Sequence, residues 1–426
     1  MLTDGKAFRI QFSTAAPLKR AVFQYWSVED EATIQSTHDP EQSWAFDNGG
    51  PNKRMTHMHI FRTFTDLQEN TRYHYRIGTS GENTEQKRNE NDGEDDGSDD
   101  DEHIEHWSPV YDFHTPVVDP HPFKFILAAD LGIMNAVSLK EITREAHSQE
   151  YDFWAYPGDF AYNMEDMDGA KGDQFLNLVQ DAFARIPVLP APGNHDGAFT
   201  FSHFLNRFRA VSYKESGAPS PSMYSFDYKS IHFVSITTEP LYETSPEDFG
   251  QVIAWLRKDL SRAHANRAER PWNVVQGHRP LYCTSIEPGT CGEETEKLRS
   301  AGLEQVLLDF KVDVYLCGHR HNYERTYPVA NGNVTSTSYT SPPSYFQVLA
   351  GNAGNFERPD GFEGNATQPL AIAPWSAKRY AGYGLTTVSV SHDSMSFTHW
   401  QIEANGQRGP PVDEFVVTKR MSDVSA

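Results

Sequence analysis

Phe123-Lys-Phe-Ile-Leu-Ala-Ala-Asp130 is an apolar run that stops on a carboxylate, and the same pattern returns four times downstream. Phe153-Trp-Ala-Tyr156 leads into Gly158-Asp159-Phe160-Ala161-Tyr162, and Ile186-Pro-Val-Leu189 leads into Gly193-Asn194-His195-Asp196. Trp272-Asn-Val-Val275 precedes Gly277-His278, and Val312-Asp-Val-Tyr-Leu316 precedes Gly318-His319-Arg320-His321. Helical periodicity marks the segments 136–148, 173–184, 249–265 and 294–310. Strand alternating with helix predicts an α/β domain whose core strands are mainly parallel and covered on both faces. Ligands in such folds collect beyond the carboxyl ends of the strands. All five polar stations are predicted to lie there.

Working outward, Ile231-His-Phe-Val-Ser-Ile236 continues the alternation. Tyr345-Phe-Gln-Val-Leu-Ala350, Gly384 to Val390, Met395 to Trp400 and Glu414 to Thr418 read as strands completing a second sheet. The expected body is an α/β sandwich of two mixed sheets flanked by helices. Before residue 118 the pattern is different. Phe8 to Phe12, Arg20 to Tyr25, His57 to Phe61, Arg72 to Ile77 and Val110 to Phe113 are short alternating runs separated by polar turns, which predicts an antiparallel sandwich. The division is therefore 1–117 and 118–426. His57 and His59 fall on a strand face and read as surface or packing residues.

The formal charge of 37 − 59 = −22 argues against a protein that wraps nucleic acid by counterion release. Between Gly81 and His106 twelve acidic residues stand against Lys87 and Arg88. Such a stretch buries too little apolar surface to offset its ordering entropy and reads as a disordered acidic loop, 81–106. Adventitious cation binding helped by His103 and His106 is the lesser alternative. No apolar run approaches the roughly 18 residues of a membrane helix. The three cysteines are too few for a disulfide scaffold. Cys283 and Cys291 bracket a loop containing Pro288-Gly289 and are either a single staple or two free thiols; Cys317 ends an apolar run and reads as a buried small hydrophobe. Asn333-Val-Thr335 and Asn365-Ala-Thr367 match the glycosylation acceptor pattern. No basic segment followed by an apolar core opens the chain, so no secretory signal is readable, and a start lacking upstream sequence would reconcile this with the acceptor sites and the staple.

Carboxylates and a tyrosinate suit a hard trivalent ion, whereas imidazoles and an amide oxygen suit a divalent ion of borderline softness. Asp159 and Tyr162 are three apart on one loop, so both can face one cation. A strand-ending aspartate between two cations can bridge them at the roughly 3.5–4 Å of two-metal hydrolytic sites. The glycines before Asp159, Asn194, His278 and His319 are expected to let the backbone turn sharply.

With these residues in place the chain resembles the purple acid phosphatases, within the calcineurin-like metallophosphoesterases. The loops Gly277-His-Arg-Pro-Leu-Tyr-Cys283 and Gly318-His-Arg-His-Asn-Tyr-Glu-Arg325 are most similar to the long-form animal type. The resemblance runs over essentially the whole chain and implies that segment 1–117 is a fibronectin-III-like domain shortened at its front. It implies a metallophosphoesterase fold for 118–426. It further implies that Asp130, Asp159, Tyr162 and His321 hold a ferric ion, and that Asp159 bridges to a second ion (Fe²⁺, Zn²⁺ or Mn²⁺) completed by Asn194, His278 and His319. His195 matches the family's histidine that contacts substrate phosphate and protonates the leaving group. The implied activity is an acid phosphatase that hydrolyses phosphate monoesters to alcohol and inorganic phosphate by in-line attack of a metal-bound hydroxide. Small phosphate esters are the implied substrates, with no nucleic acid and no membrane span, and homodimerisation is left open. The implied location is secreted or vacuolar/lysosomal, as a glycoprotein.

Some positions depart from the family pattern. Ala129 stands where glycine is usual, Asp196 where glutamate is usual, and the loop Tyr282 to Cys291 lacks the histidines of plant members, which leaves leaving-group assistance to His195 or to a group not readable here. Arg320, between two ligands, either meets substrate phosphate or faces solvent. A phosphodiesterase or nucleotide pyrophosphatase on the same scaffold, and a non-catalytic fibronectin-type binding protein, are the alternative readings.

Overall fold

The computed structural model describes residues 2–3, 7–63, 67–81, 104–117, 122–285, 290–362 and 372–420. Most of the acidic stretch and the second acceptor site at Asn365 lie outside the described residues.

Phe125, Ile126 and Leu127 are all fully buried, and because successive strand side chains point to opposite faces, both faces of this strand need an apolar partner. Phe125 and Leu127 enter the layer between two sheets, against Phe153, Val274, Val348 and Phe397. Ile126 points the other way, into a helical layer with Trp154, Ile142 and Phe175. The first sheet has six strands in the spatial order Val188–Ala191, Phe153–Pro157, Phe123–Leu127, Gly384–Val390, Ser394–Ile402, Arg408–Thr418. The first three run parallel, and the strands from Gly384 onward antiparallel. The second sheet has seven strands in the order Tyr224–Tyr228, Ile231–Ser235, Trp272–Gln276, Val314–Cys317, Phe346–Ala350, Tyr323–Thr326, Ser376–Tyr380, with four parallel strands at its centre. Its outer face is closed by Leu256, Leu260, Leu303 and Leu307 from helices. The result is helix, sheet, sheet, helix. Two apolar faces per sheet explain why these strands read as unbroken apolar runs rather than alternating ones.

Two expectations are corrected. The helical segment 294–310 is two helices, Thr295–Ser300 and Leu303–Asp309, broken where Gly302 takes a positive φ of 96°. The strand Tyr323–Thr326 went unread because Glu324 and Arg325 look like surface residues. Both are buried and satisfied: Glu324 accepts hydrogen bonds from Thr284 and Ser376, and Arg325 pairs with Asp413. Polar strands paired inside a core leave no apolar periodicity to detect.

Before residue 118 lie two antiparallel sheets. One pairs Leu2–Thr3, Ala7–Thr14, Met55–Arg62 and Gln42–Asp47; the other pairs Gln35–His38, Leu18–Ser27, Arg72–Gly81 and His106–Trp107, with Tyr111–His114 also on Arg72–Gly81. Phe8, Phe23, Tyr25, Phe61 and Phe113 pack between them. His59 is buried, hydrogen-bonded to Thr14 and Ser43, and burial lowers its pKa to about 4, so it is a packing residue. This unit is tied to the large sandwich by polar contacts: Trp44 Nε1 donates to Asn206 Oδ1 (2.8 Å), His203 Nε2 to the Asn48 carbonyl (3.0 Å), and Arg54 pairs with Asp173. Among the described residues no helix is long and apolar enough to cross a membrane.

Candidate metal centre

Each station follows directly on a strand end, and the parallel strands deliver all five to one edge of the sandwich. The seven side chains singled out from sequence meet there as two adjoining groups. In the first, Tyr162 Oη lies 2.7 Å from His321 Nε2 and 3.4 Å from Asp130 Oδ1, and His321 Nε2 is 3.7 Å from Asp130 Oδ1. In the second, His278 Nε2 lies 3.2 Å from Asp159 Oδ2 and 3.0 Å from Asn194 Oδ1, and ligand atoms of Asp159, His278 and His319 fall within 4.8 Å of one another. The groups are linked by their loops: Asp159 and Tyr162 share one, His319 and His321 another. The His319 backbone N–H also donates to Asp130 Oδ2 (3.0 Å).

Backbone conformation concentrates here. Asp130, Asp159, Tyr162 and His319 have φ of 60°, 56°, 56° and 69°, a region that L-residues avoid. Four such residues in one site are held by their surroundings, as is usual where function overrides local preference. The glycine expectation holds at one of its four positions, since Gly193, Gly277 and Gly318 do not take a positive φ. Gly158 does turn, with φ of 95°, and a Cβ there would sit 2.3 Å from His278 Nδ1. Gly193 is extended, and its reason is space: a Cβ would lie 2.2 Å from Asp159 Oδ1.

The charge state tests whether these residues fit metal ions. Asp130 and Asp159 are 0% and 1% exposed, and buried carboxylates persist when paired or when they hold a cation. Burial, added to by the Asp159 charge, pushes the Asp130 carboxyl well above its ordinary range. Burial also raises Asp159, but His278 outweighs it and holds that carboxyl down, to about 2. In return His278 is pushed up to about 10 despite its burial. Without a cation, then, a proton on His278 supplies the positive charge that Asp159 requires. Burial and the nearby carboxylates push the Tyr162 hydroxyl up, so a phenolate there needs strong positive charge beside it. Burial lowers His321 to about 4 and holds His319 well below its usual value, which leaves two neutral imidazoles as donors. Two carboxylates, a phenol, three imidazoles and an amide oxygen match one hard and one borderline ion.

Supporting groups complete the site. His278 Nδ1–H donates to the Pro157 carbonyl (2.8 Å), turning Nε2 inward, the usual arrangement of a ligating histidine. Asp196 accepts N–H groups from Gly193 (2.9 Å), Asp159 (3.0 Å) and Phe160 (3.4 Å), so it clasps two stations together. His195 is partly exposed: its Nδ1–H donates to Asn163 Oδ1 (2.9 Å), its ring packs 4.5 Å from Tyr162, and Nε2 is 3.9 Å from Glu357. Arg320 does not face solvent. It is buried, donating to Ser285 Oγ (2.8 Å) and pairing with Asp360 (2.7 Å). Asn355 was missed from sequence, yet its Nδ2 donates to Tyr162 Oη (2.7 Å) and to the Asp130 carbonyl (2.9 Å). It sits beyond the strand Phe346–Ala350, so the carboxyl-end rule that found the other stations would have found it in Gly351-Asn-Ala-Gly-Asn355. Cys283 and Cys291 are disulfide-bonded, with Cα atoms 5.1 Å apart, and Cys317 is free and buried. Asn333 is exposed, in a short hairpin strand.

A family model described as calcineurin-like phosphoesterase matches residues 112–323. Acid phosphatase type 7 of Danio rerio is 32% identical over 335 residues, covering 74% of this chain and 72% of the relative. The chain belongs to the purple acid phosphatases. An Arabidopsis thaliana protein, Fe(3+)-Zn(2+) purple acid phosphatase 12, is 25% identical over 95% of this chain and 80% of its own length. The solved structure of purple acid phosphatase PPD1 from yellow lupin superposes with a TM-score of 0.72 at 18% identity, covering 99% of this chain and 74% of that one, which establishes the shared fold. This purple acid phosphatase thus has the metallophosphoesterase sandwich, with its polar stations gathered at one edge.

Proposed function

We propose that this purple acid phosphatase hydrolyses small phosphate monoesters to an alcohol and inorganic phosphate at a dinuclear centre. Asp130, Asp159, Tyr162 and His321 would hold a ferric ion, and Asp159, Asn194, His278 and His319 a second, divalent ion. Support comes above all from the convergence of these seven side chains in two adjoining buried groups. When bound, the two ions lower the pKa of a water and neutralise charge on the phosphoryl oxygens. The protein's own contribution is positional. Pro157 and Asp196 fix the ligand loops, and Asn355 donates a hydrogen bond that favours the phenolate form of Tyr162. Asn163 fixes the proton of the His195 ring on Nδ1, so Nε2, once protonated, donates to the departing oxygen. Residues 1–117 read as a fibronectin-III-like domain appended to the catalytic sandwich of 118–426. The disulfide and the exposed acceptor Asn333 support a secreted or vacuolar setting. Rates on an aryl monoester and the matching diester across pH test the reading. Faster monoester turnover with an acidic optimum is expected; diesterase activity at neutral pH without monoesterase would overturn it.

A further inference from the structure

His319 meets a carboxylate and a guanidinium at one ring nitrogen. Glu294 Oε2 lies 3.2 Å from His319 Nε2 and 2.7 Å from Arg279 Nη1, and Arg279 Nη1 itself stands 3.2 Å from the same Nε2. Arg279 is itself pinned, because its Nε stands 2.9 and 3.2 Å from the two oxygens of the fully buried Glu239, and its guanidinium lies 4.1 Å from the Tyr242 ring centre. The chain Glu239–Arg279–Glu294–His319 thus runs from the core to the site. Arg279 follows His278 and Glu294 lies just beyond Cys291, whose Cα the disulfide holds 5.1 Å from that of Cys283.

A carboxylate only accepts and a guanidinium only donates, so the two groups at Nε2 favour opposite tautomers; Arg279 Nη1 makes its shorter bond, 2.7 Å, to Glu294, which leaves the carboxylate to accept from Nε2–H. The nitrogen left with a lone pair is then Nδ1. We propose that Glu294 is a positioning residue that fixes the tautomer and orientation of His319, and that it thereby sets the affinity of the divalent ion without touching substrate. The inference rests on the dinuclear reading above. Arg279 serves as its anchor, holding the carboxylate in place against a ring it would otherwise share with solvent.

Carboxylate partners of ligating histidines characteristically change metal affinity by about 10–100-fold when removed. The test uses the full-length, iron-loaded protein and measures Zn²⁺ affinity against a competing chelator, with the visible absorption of the tyrosinate–iron unit followed in parallel. Glu294→Ala is expected to weaken Zn²⁺ by roughly 10–100-fold with the visible band unchanged. Glu294→Gln keeps an acceptor oxygen and should recover part of the loss. An alanine variant whose Zn²⁺ affinity stays within about twofold of wild type overturns the inference, and so does one that loses the iron band together with Zn²⁺, since that would mark a general structural role. A wild-type protein lacking both the iron band and the Zn²⁺ site overturns the dinuclear reading, and this inference with it.

Discussion

Asp130, Asp159, Tyr162 and His319 are held in left-handed backbone, which costs each of them of order 1–3 kcal/mol and is retained because hydrogen bonds such as His319 N–H to Asp130 Oδ2 and Asp159 N–H to Asp196 fix the loops. That strain was illegible in the sequence: Asp and His visit left-handed φ more often than most residues without any pattern that says where, and Tyr does so rarely. What could be read was the order of residue types after apolar runs, and this placed all seven candidate ligands. Their supports were read poorly. Asp196 registered only as a substitution for glutamate, Arg320 was left undecided, and Asn355 and Glu294 were missed, because their roles depend on neighbours far away in the chain. Two predictions belong at this scale. His195→Ala should lower kcat on a monoester about 10²–10⁴-fold, the range of a lost general acid, while metal content by atomic absorption stays at the wild-type value; loss of metal would place His195 among the ligands instead. Tyr162→Phe should abolish the visible absorption band while leaving the divalent ion bound, and a retained band would mean that another group supplies the phenolate.

At the scale of elements, the strand ends carry the chemistry and the strand starts carry stability. His232, near the start of the strand Ile231–Ser235, bridges two carboxylates, with Nδ1 2.7 Å from Asp227 and Nε2 2.8 Å from Asp259. Burial opposes its charge, but the two aspartates win and raise its pKa to about 9. A histidine whose folded pKa lies above its unfolded 6.5 adds stability that is fully present below about 6.5 and is lost as pH rises through about 9. The bridge should therefore contribute about 3 kcal/mol at pH 6 and little at pH 10. Urea unfolding of wild type and His232→Gln at both pH values checks this: the stability gap between them should shrink on going alkaline, and a gap independent of pH would rule out the protonated bridge. Elements buried on both faces were the most legible, as in Phe123–Leu127. Elements such as Tyr323–Thr326 were not, because Glu324 and Arg325 are compensated by partners that the linear pattern does not show.

Across the whole molecule the two sheets act as a frame that brings groups from Asp130 to His321 to one edge, and the N-terminal sheets are tied to that frame through Trp44, Asn48 and Arg54. The frame delivers two buried carboxylates to one place, where bound cations would neutralise both. Metal content and the visible spectrum of the purified protein test this most directly. One iron and one divalent ion per chain, with a tyrosinate-to-iron band in the visible, is the predicted result. A colourless, iron-free protein that still turns over phosphate esters would contradict it.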